Sequence, residues 1–248
     1  MRIKFLFARG EELQYLSHLE GMRSLQRSMI RAALPLAYSQ GFNPQPRLSI
    51  AAPLPVGITA AAEPAEVYLT QRISLADFSG RLQPQLPDGF QVKSAVEAAA
   101  EEPPLMQSIT AAGYEVRLQT VSGNAPDWKQ IEAGVNKLNA LPEIMVTRAG
   151  KKGLRQKDIR PFVHRVHLVT DMASRSDAPA TNAARPETLT GPYLELLLQT
   201  GSQGGAKPLE VLHFLVTLMG HPINDYLCFI HRFGLFTGTS GSLQAVSF

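Results

Sequence analysis

Ser17, His18 and Glu20 are the first residues whose types and spacing could do chemistry. Ser-x-x-Glu is a capping box, in which the Ser17 hydroxyl accepts the N–H of Glu20 and the Glu20 carboxylate accepts that of Ser17. A helix opening there puts the His18 imidazole in the field of the positive helix end, which favours its neutral form. With Tyr15, a neutral His18 could act as a general base on a ribose 2′-hydroxyl. Packing against the next strand is the plainer role. Other constellations are weaker. Gly201-Ser-Gln-Gly-Gly-Ala-Lys207 precedes a helix as a phosphate loop does, but Pro208 fills the place of the Ser or Thr that reaches Mg²⁺. An NTPase is therefore unsupported, and only a weak anion site at the helix start is left. His164 and His167 on a strand would face opposite sides, so no metal site follows. Cys228 is the only cysteine, which excludes an intrachain disulfide, an iron–sulfur cluster held by this chain and a Cys-rich zinc site. No cofactor is expected, and no hydrolase, zincin or dinucleotide fingerprint appears.

The charge is unevenly placed. The net charge is +3, yet residues 1–47 hold seven Arg and Lys against three Glu, and residues 148–165 hold seven against one Asp. The rest of the chain is net negative. Positive charge concentrated in two segments is the pattern of a polyanion binder, although solvated loop and helix faces produce it too. At 44% hydrophobic and 18% charged, the chain has the composition of a globular protein. No apolar run approaches the ~20 residues of a membrane span, and the opening residues lack a signal-peptide pattern. A cytoplasmic protein with no membrane partner is expected.

These residues need elements to position them. Ile3–Ala8 reads as a strand. After the capping box, Leu19, Met22, Leu25, Met29 and Ala33 fall at helical spacing as a core stripe. Arg23, Arg27 and Arg31 line the opposite face, and Pro35 stops the helix. Tyr38 to Arg47 is turn-rich, with two aromatics, polar amides and an Arg on a proline-stiffened loop. Such a loop suits unpaired bases, unless Phe42 simply plugs the core. Strands are expected at Leu48–Ala52, Ala65–Ile73 and from Gly89, with a helix capped by Ser74 between the last two. This order, β-α-β-β-α-β, is the ferredoxin-like arrangement. Residues 98–107 read as a linker between a first module (1–97) and a second (108–248). The second repeats the scheme: a strand at Ala112–Val121, a helix from Pro126-Asp127-Trp128 to Ala140, and strands at Glu143–Arg148, Phe162–Thr170 and Tyr193–Thr200. A helix at Pro208–Met219 and a last strand at Leu227–Ile230 or Phe233–Phe236 follow. Residues 148–165 are expected as a basic loop and 171–188 as a mobile one. The fold class is thus α+β, two tandem ferredoxin-like modules, the second with insertions.

Tyr15-Leu-Ser-His-Leu-Glu20, Leu36-Ala-Tyr-Ser-Gln-Gly-Phe-Asn-Pro-Gln-Pro-Arg47 and Pro53-Leu-Pro-Val-Gly57 together resemble the opening of the radical SAM-linked protein family. The resemblance extends to Lys157-Asp-Ile-Arg-Pro161 and Arg232-Phe-Gly-Leu-Phe236, and so covers most of the chain. The family pattern has Asp where this chain has Glu20, and His where it has Gln45. Glu20 still serves the box, whereas Gln45 is neither a titrating base nor a good metal ligand. Members are fused to or encoded beside radical SAM enzymes, so the resemblance implies a radical SAM partner, since this chain lacks the three-cysteine motif. At fold level the arrangement also resembles tandem ferredoxin-like CRISPR repeat-processing endoribonucleases.

The expected function is therefore RNA binding, of a ribosomal or transfer RNA, in support of a radical SAM protein. The expected contacts are Arg23, Arg27, Arg31, Tyr38, Phe42, Arg47, Lys151, Lys152, Arg155, Lys157 and Arg160, along a basic groove between the modules. A metal-independent endoribonuclease using His18 and Tyr15 is the alternative from the enzyme class. A protein scaffold whose basic segments meet an acidic partner is the third.

Overall fold

A computed structural model describes residues 1–124, 126–150, 153–170, 191–201, 203–239 and 242–248. β1 (Arg2–Arg9) leads through a single 3-10 turn into α1 (His18–Arg31). The capping box forms as its residue types dictate: Glu20 N–H donates to Ser17 Oγ at 3.3 Å, and Ser17 N–H donates to the Glu20 carboxylate at 2.9 Å. The buried face of α1 is Gly21, Leu25, Ser28 and Met29. Leu19 is 63% exposed, because at 100° per residue it lies well off that face. Ala33 falls outside the helix, in the left-handed region at φ 50°. The stripe expected from Leu19 to Ala33 thus holds only in its middle.

β2 (Leu48–Ile50), β3 (Ile58–Tyr68), α2 (Leu75–Leu82) and β4 (Phe90–Glu97) complete the first half. Ser74 caps α2, its hydroxyl accepting from Asp77 N–H at 2.9 Å. β3 begins seven residues before the expected Ala65. Its first half is the run Thr59-Ala-Ala-Ala, and alanine carries little strand signal. The run is a strand because it is enclosed on both faces, and nearly every β3 residue is buried. Ile3 and Phe5 of β1 pack with Leu25 and Met29 of α1 and Phe78 and Leu82 of α2. The Phe5 and Phe78 rings meet tilted at 5.5 Å, the spacing of a favourable aromatic pair.

The expected linker is docked on β1. Arg2 donates to the carbonyls of Ala99 and Glu102, Lys4 pairs with Glu102, and Leu105 is buried in the short α3 (Leu105–Ser108). Then follow β5 (Ile109–Thr120), α4 (Trp128–Ala140), β6 (Met145–Gly150), β7 (Gly153–Asp158), β8 (Val163–Val169), β9 (Tyr193–Gln199), α5 (Pro208–Leu218), β10 (Tyr226–Thr237) and β11 (Gln244–Ala245). The segment expected as a free basic loop is instead a β6–β7 hairpin, paired from Met145↔Asp158 to Gly150↔Gly153. Asp158 anchors its base by accepting from Ile144 N–H at 2.8 Å and Arg160 N–H at 2.9 Å, and these two bonds hold its carboxyl below the usual range. The expected mobile loop at 171–188 lies outside the described residues. The two candidate last strands are one strand, β10, bulged between Arg232 and Gly234.

The result is an α+β protein built on one large, mostly antiparallel sheet. Its order is β4-β1-β3-β10-β5-β9-β8, with β2 on β3 and β11 on β10. β10 joins the halves: it pairs antiparallel with β5 along its length and parallel with β3 at Ile58–Ala60. Val116, Leu194, Leu196 and Leu198 of the sheet pack against Ile131 and Leu138 of α4 and Val211, Leu212 and Leu215 of α5.

Candidate nucleic-acid interface and a buried arginine centre

The capping box fixes the start of α1, and the apolar face fixes its roll, so Arg23, Arg27 and Arg31 turn outward. All three are exposed. They line a groove of about 360 Å³ with Leu16, Glu20, Ser24 and Pro87. Successive members stand about 6 Å apart along the axis, at 1.5 Å per residue. Arg31 is partly engaged, donating to Ser28 Oγ at 3.0 Å and to the Gln85 carbonyl. Arg23 and Arg27 form no hydrogen bond or ion pair with the described residues. The structure therefore brings the three together, in a groove to which the second half contributes no described residue.

The aromatic loop is ordered by its own backbone. Ser39 N–H donates to the Gln45 carbonyl at 2.8 Å, Gln45 N–H donates to Ser39 Oγ at 3.0 Å, and Tyr38 bridges to Pro46. Gly41 supplies the positive φ, 123°, that turns the tip. Phe42 at that tip is fully exposed and plugs no core, and Tyr38 is 45% exposed. Arg47 stacks 3.9 Å over the Tyr68 ring.

The second basic segment is largely occupied by its own fold. Arg148 makes a two-pronged pair with Glu210 at 2.7 and 2.6 Å. Arg160 donates to the carbonyls of Leu141 at 3.1 Å and Val163 at 2.8 Å. Lys157 lies 4.6 Å over the Phe162 ring, and Arg165 pairs with Glu195. Arg155 is exposed. Lys151 and Lys152 lie outside the described residues. The helix start after the glycine-rich loop already has an anion of its own: the Glu210 carboxylate accepts from Lys207 N–H at 3.0 Å.

Sequence reasoning missed the centre beneath α1. Arg232 and Glu63, each 1% exposed, form a two-pronged buried pair, with Nε to Oε1 at 2.8 Å and Nη2 to Oε2. Arg232 also donates to the carbonyls of Ala52 at 3.0 Å and Pro53 at 3.3 Å, and is hydrogen-bonded to Tyr114. Burial works against its charge, but Glu63 and Tyr114 outweigh burial and hold the guanidinium ionised. Nearby, Arg9 donates to the carbonyls of Leu13 and Leu16. With His18 and Glu63 it lines a cavity of about 10 Å³, room for one water. His18 is half-buried there, and its pKa is lowered chiefly by burial, with Arg9 and Arg232 adding to this and Glu63 opposing. Tyr15 is 76% exposed. The available signal was local: Glu63 and Glu66 are carboxylates in an alanine-rich run, and Arg232 is a cation between Phe229 and Phe233.

Among the described residues no group of three or more His, Cys, Asp or Glu could hold a metal ion. Burial pushes the Cys228 thiol up to about 11, which leaves it unreactive. No described helix is long and apolar enough to cross a membrane. No curated protein matches the sequence. A family model described as "Uncharacterized protein conserved in bacteria (DUF2344)" matches residues 2–208, and the chain belongs to that family.

Proposed function

We propose that this chain is an RNA-binding accessory protein, non-catalytic itself, that works beside a separate radical SAM enzyme. The observation that supports the binding role best is the α1 ridge, where Arg23 and Arg27 are exposed and unpaired among the described residues. A folded chain that keeps three guanidinium groups in line with only the capping carboxylate of Glu20 beside them is suited to phosphates, which accept their forked donors. Phe42 and Tyr38 add exposed rings on which unpaired bases stack. The radical SAM partner rests on the sequence resemblance.

The test is RNA affinity as a function of salt. If about six phosphates of a single strand are neutralised, log K should fall with log salt at a slope near −4, at roughly −0.7 per contact. A slope near zero, or no binding at low salt, would defeat the proposal. RNA cleavage without metal, lost in His18→Ala, would replace it with the nuclease reading. Ridge variants that still bind RNA but lose a radical SAM partner would replace it with the scaffold.

A further inference from the structure

The groove over α1 is cationic along most of its length and anionic at one end. At 100° per residue, Glu20, Arg27 and Arg31 fall within about 20° of one line along the helix. Ser24 and Arg23 stand to either side of that line, and all five residues line the groove. The line runs from Glu20 in the first turn to Arg31 in the last. Arg31 closes the far end by donating to the Gln85 carbonyl. Glu20 is the one carboxylate among the lining residues. Hydrogen bonding by the Ser17 side chain and backbone holds its carboxyl below the ordinary range. It is therefore an acceptor with no proton to give.

These charges suit one end of an RNA strand better than its middle. Inside a strand each ribose is flanked by two phosphates, and a phosphate beside Glu20 meets a like charge. A strand that stops at Glu20 avoids this. Its 3′-terminal ribose carries two adjacent hydroxyls, donors of the kind that acidic side chains accept from nucleotide sugars. Arg23 then stands about 4.5 Å further along the axis, and Arg27 and Arg31 at further steps of about 6 Å, at 1.5 Å per residue. They are set to take the phosphates that precede the terminal sugar.

We propose that the groove recognises the 3′ end of an RNA strand, with its terminal cis-diol on Glu20 and its last phosphates on the three arginines. The proposal rests on the RNA-binding reading above and names the part of the RNA that the ridge takes. The test is binding of the full chain to one unstructured oligoribonucleotide, labelled at its 5′ end. Its 3′ end is a free diol, a 3′-phosphate or a 2′,3′-dideoxy sugar. The diol end should bind about fivefold tighter than the phosphate end, the effect of like charges a few ångström apart in water. That preference should shrink as salt rises, because Glu20 is exposed. The dideoxy end, neutral but without donors, should fall between the two. In Glu20→Gln the phosphate end should bind at least as tightly as the diol end. Glutamine can still close a capping box, so α1 is kept. Equal binding of diol and phosphate ends by the wild type overturns the proposal. So does a preference that survives Glu20→Gln, or a dideoxy end bound as tightly as the diol. In those cases the strand still binds, and end recognition alone falls. Failure of every strand to bind at low salt defeats the RNA-binding reading, and this proposal with it.

Discussion

The α1 ridge and the second basic segment look alike in sequence and differ in what their charges are for. On α1, Arg23 and Arg27 point to solvent with no hydrogen bond or ion pair among the described residues. In the second segment, Arg148 is committed to Glu210, Arg160 to backbone carbonyls and Arg165 to Glu195. Arg232 and Arg9 stand at the far extreme, inside the protein. A count of cations treats all of these as equal. Their surroundings do not: an arginine that already spends its donors on the fold has little left for a ligand, and removing it costs stability rather than affinity.

That contrast can be broken most forcefully at the interior. Glu63→Gln leaves the Arg232 guanidinium buried without its counter-charge, and should destabilise the chain by about 3–5 kcal/mol in urea unfolding. A loss below ~1 kcal/mol would mean that Arg232 finds water in the mutant. Arg160→Gln should cost about 1–3 kcal/mol, the worth of charged hydrogen bonds to the Leu141 and Val163 carbonyls, and should leave RNA binding unchanged. Arg23→Gln with Arg27→Gln inverts this outcome. Stability should stay within ~0.5 kcal/mol per site, while RNA binding weakens and its salt slope flattens by about 1.4. Equal effects of the Arg160 and ridge variants on RNA would erase the distinction.

The smallest effect is a pH dependence. Because the folded His18 pKa lies below the ordinary imidazole value, the unfolded chain takes up a proton first as the pH falls. Stability should therefore decline on acidification from about pH 6.5, and level off once the folded imidazole also titrates. His164 is shifted in the same direction by burial, so the measurement is the difference in Tm between wild type and His18→Gln across that window. A difference independent of pH would remove His18 as the cause.

Local signals were legible in the sequence, and distant ones were not. The Ser17–Glu20 and Ser74 caps, the outward arginines and the start of α4 at Asp127 each depend on neighbours within a turn, and each stands where its residue types put it. β3 was misplaced because its alanines become a strand only through burial between β1 and β10. The β7 arm of the hairpin reads as a loop because Gly153 to Asp158 is polar apart from the exposed Leu154, and it pairs with β6 alone. The Glu63–Arg232 pair joins residues 169 apart in the chain, and nothing in either neighbourhood names the other. The candidate ridge was accordingly visible from sequence, and the buried centre was not.

The position of β10 also bears on how the chain is made. It lies between β3 and β5 in the finished sheet, yet it leaves the ribosome after both. Until it arrives, the facing edges of β3 and β5 have unpaired backbone groups, the state in which strands join the wrong partner. Arg232 arrives with it, so Glu63 is made 169 residues before its partner. Closing the first half over that carboxylate before Arg232 is in place would bury a charge without its counter-charge, which is costly.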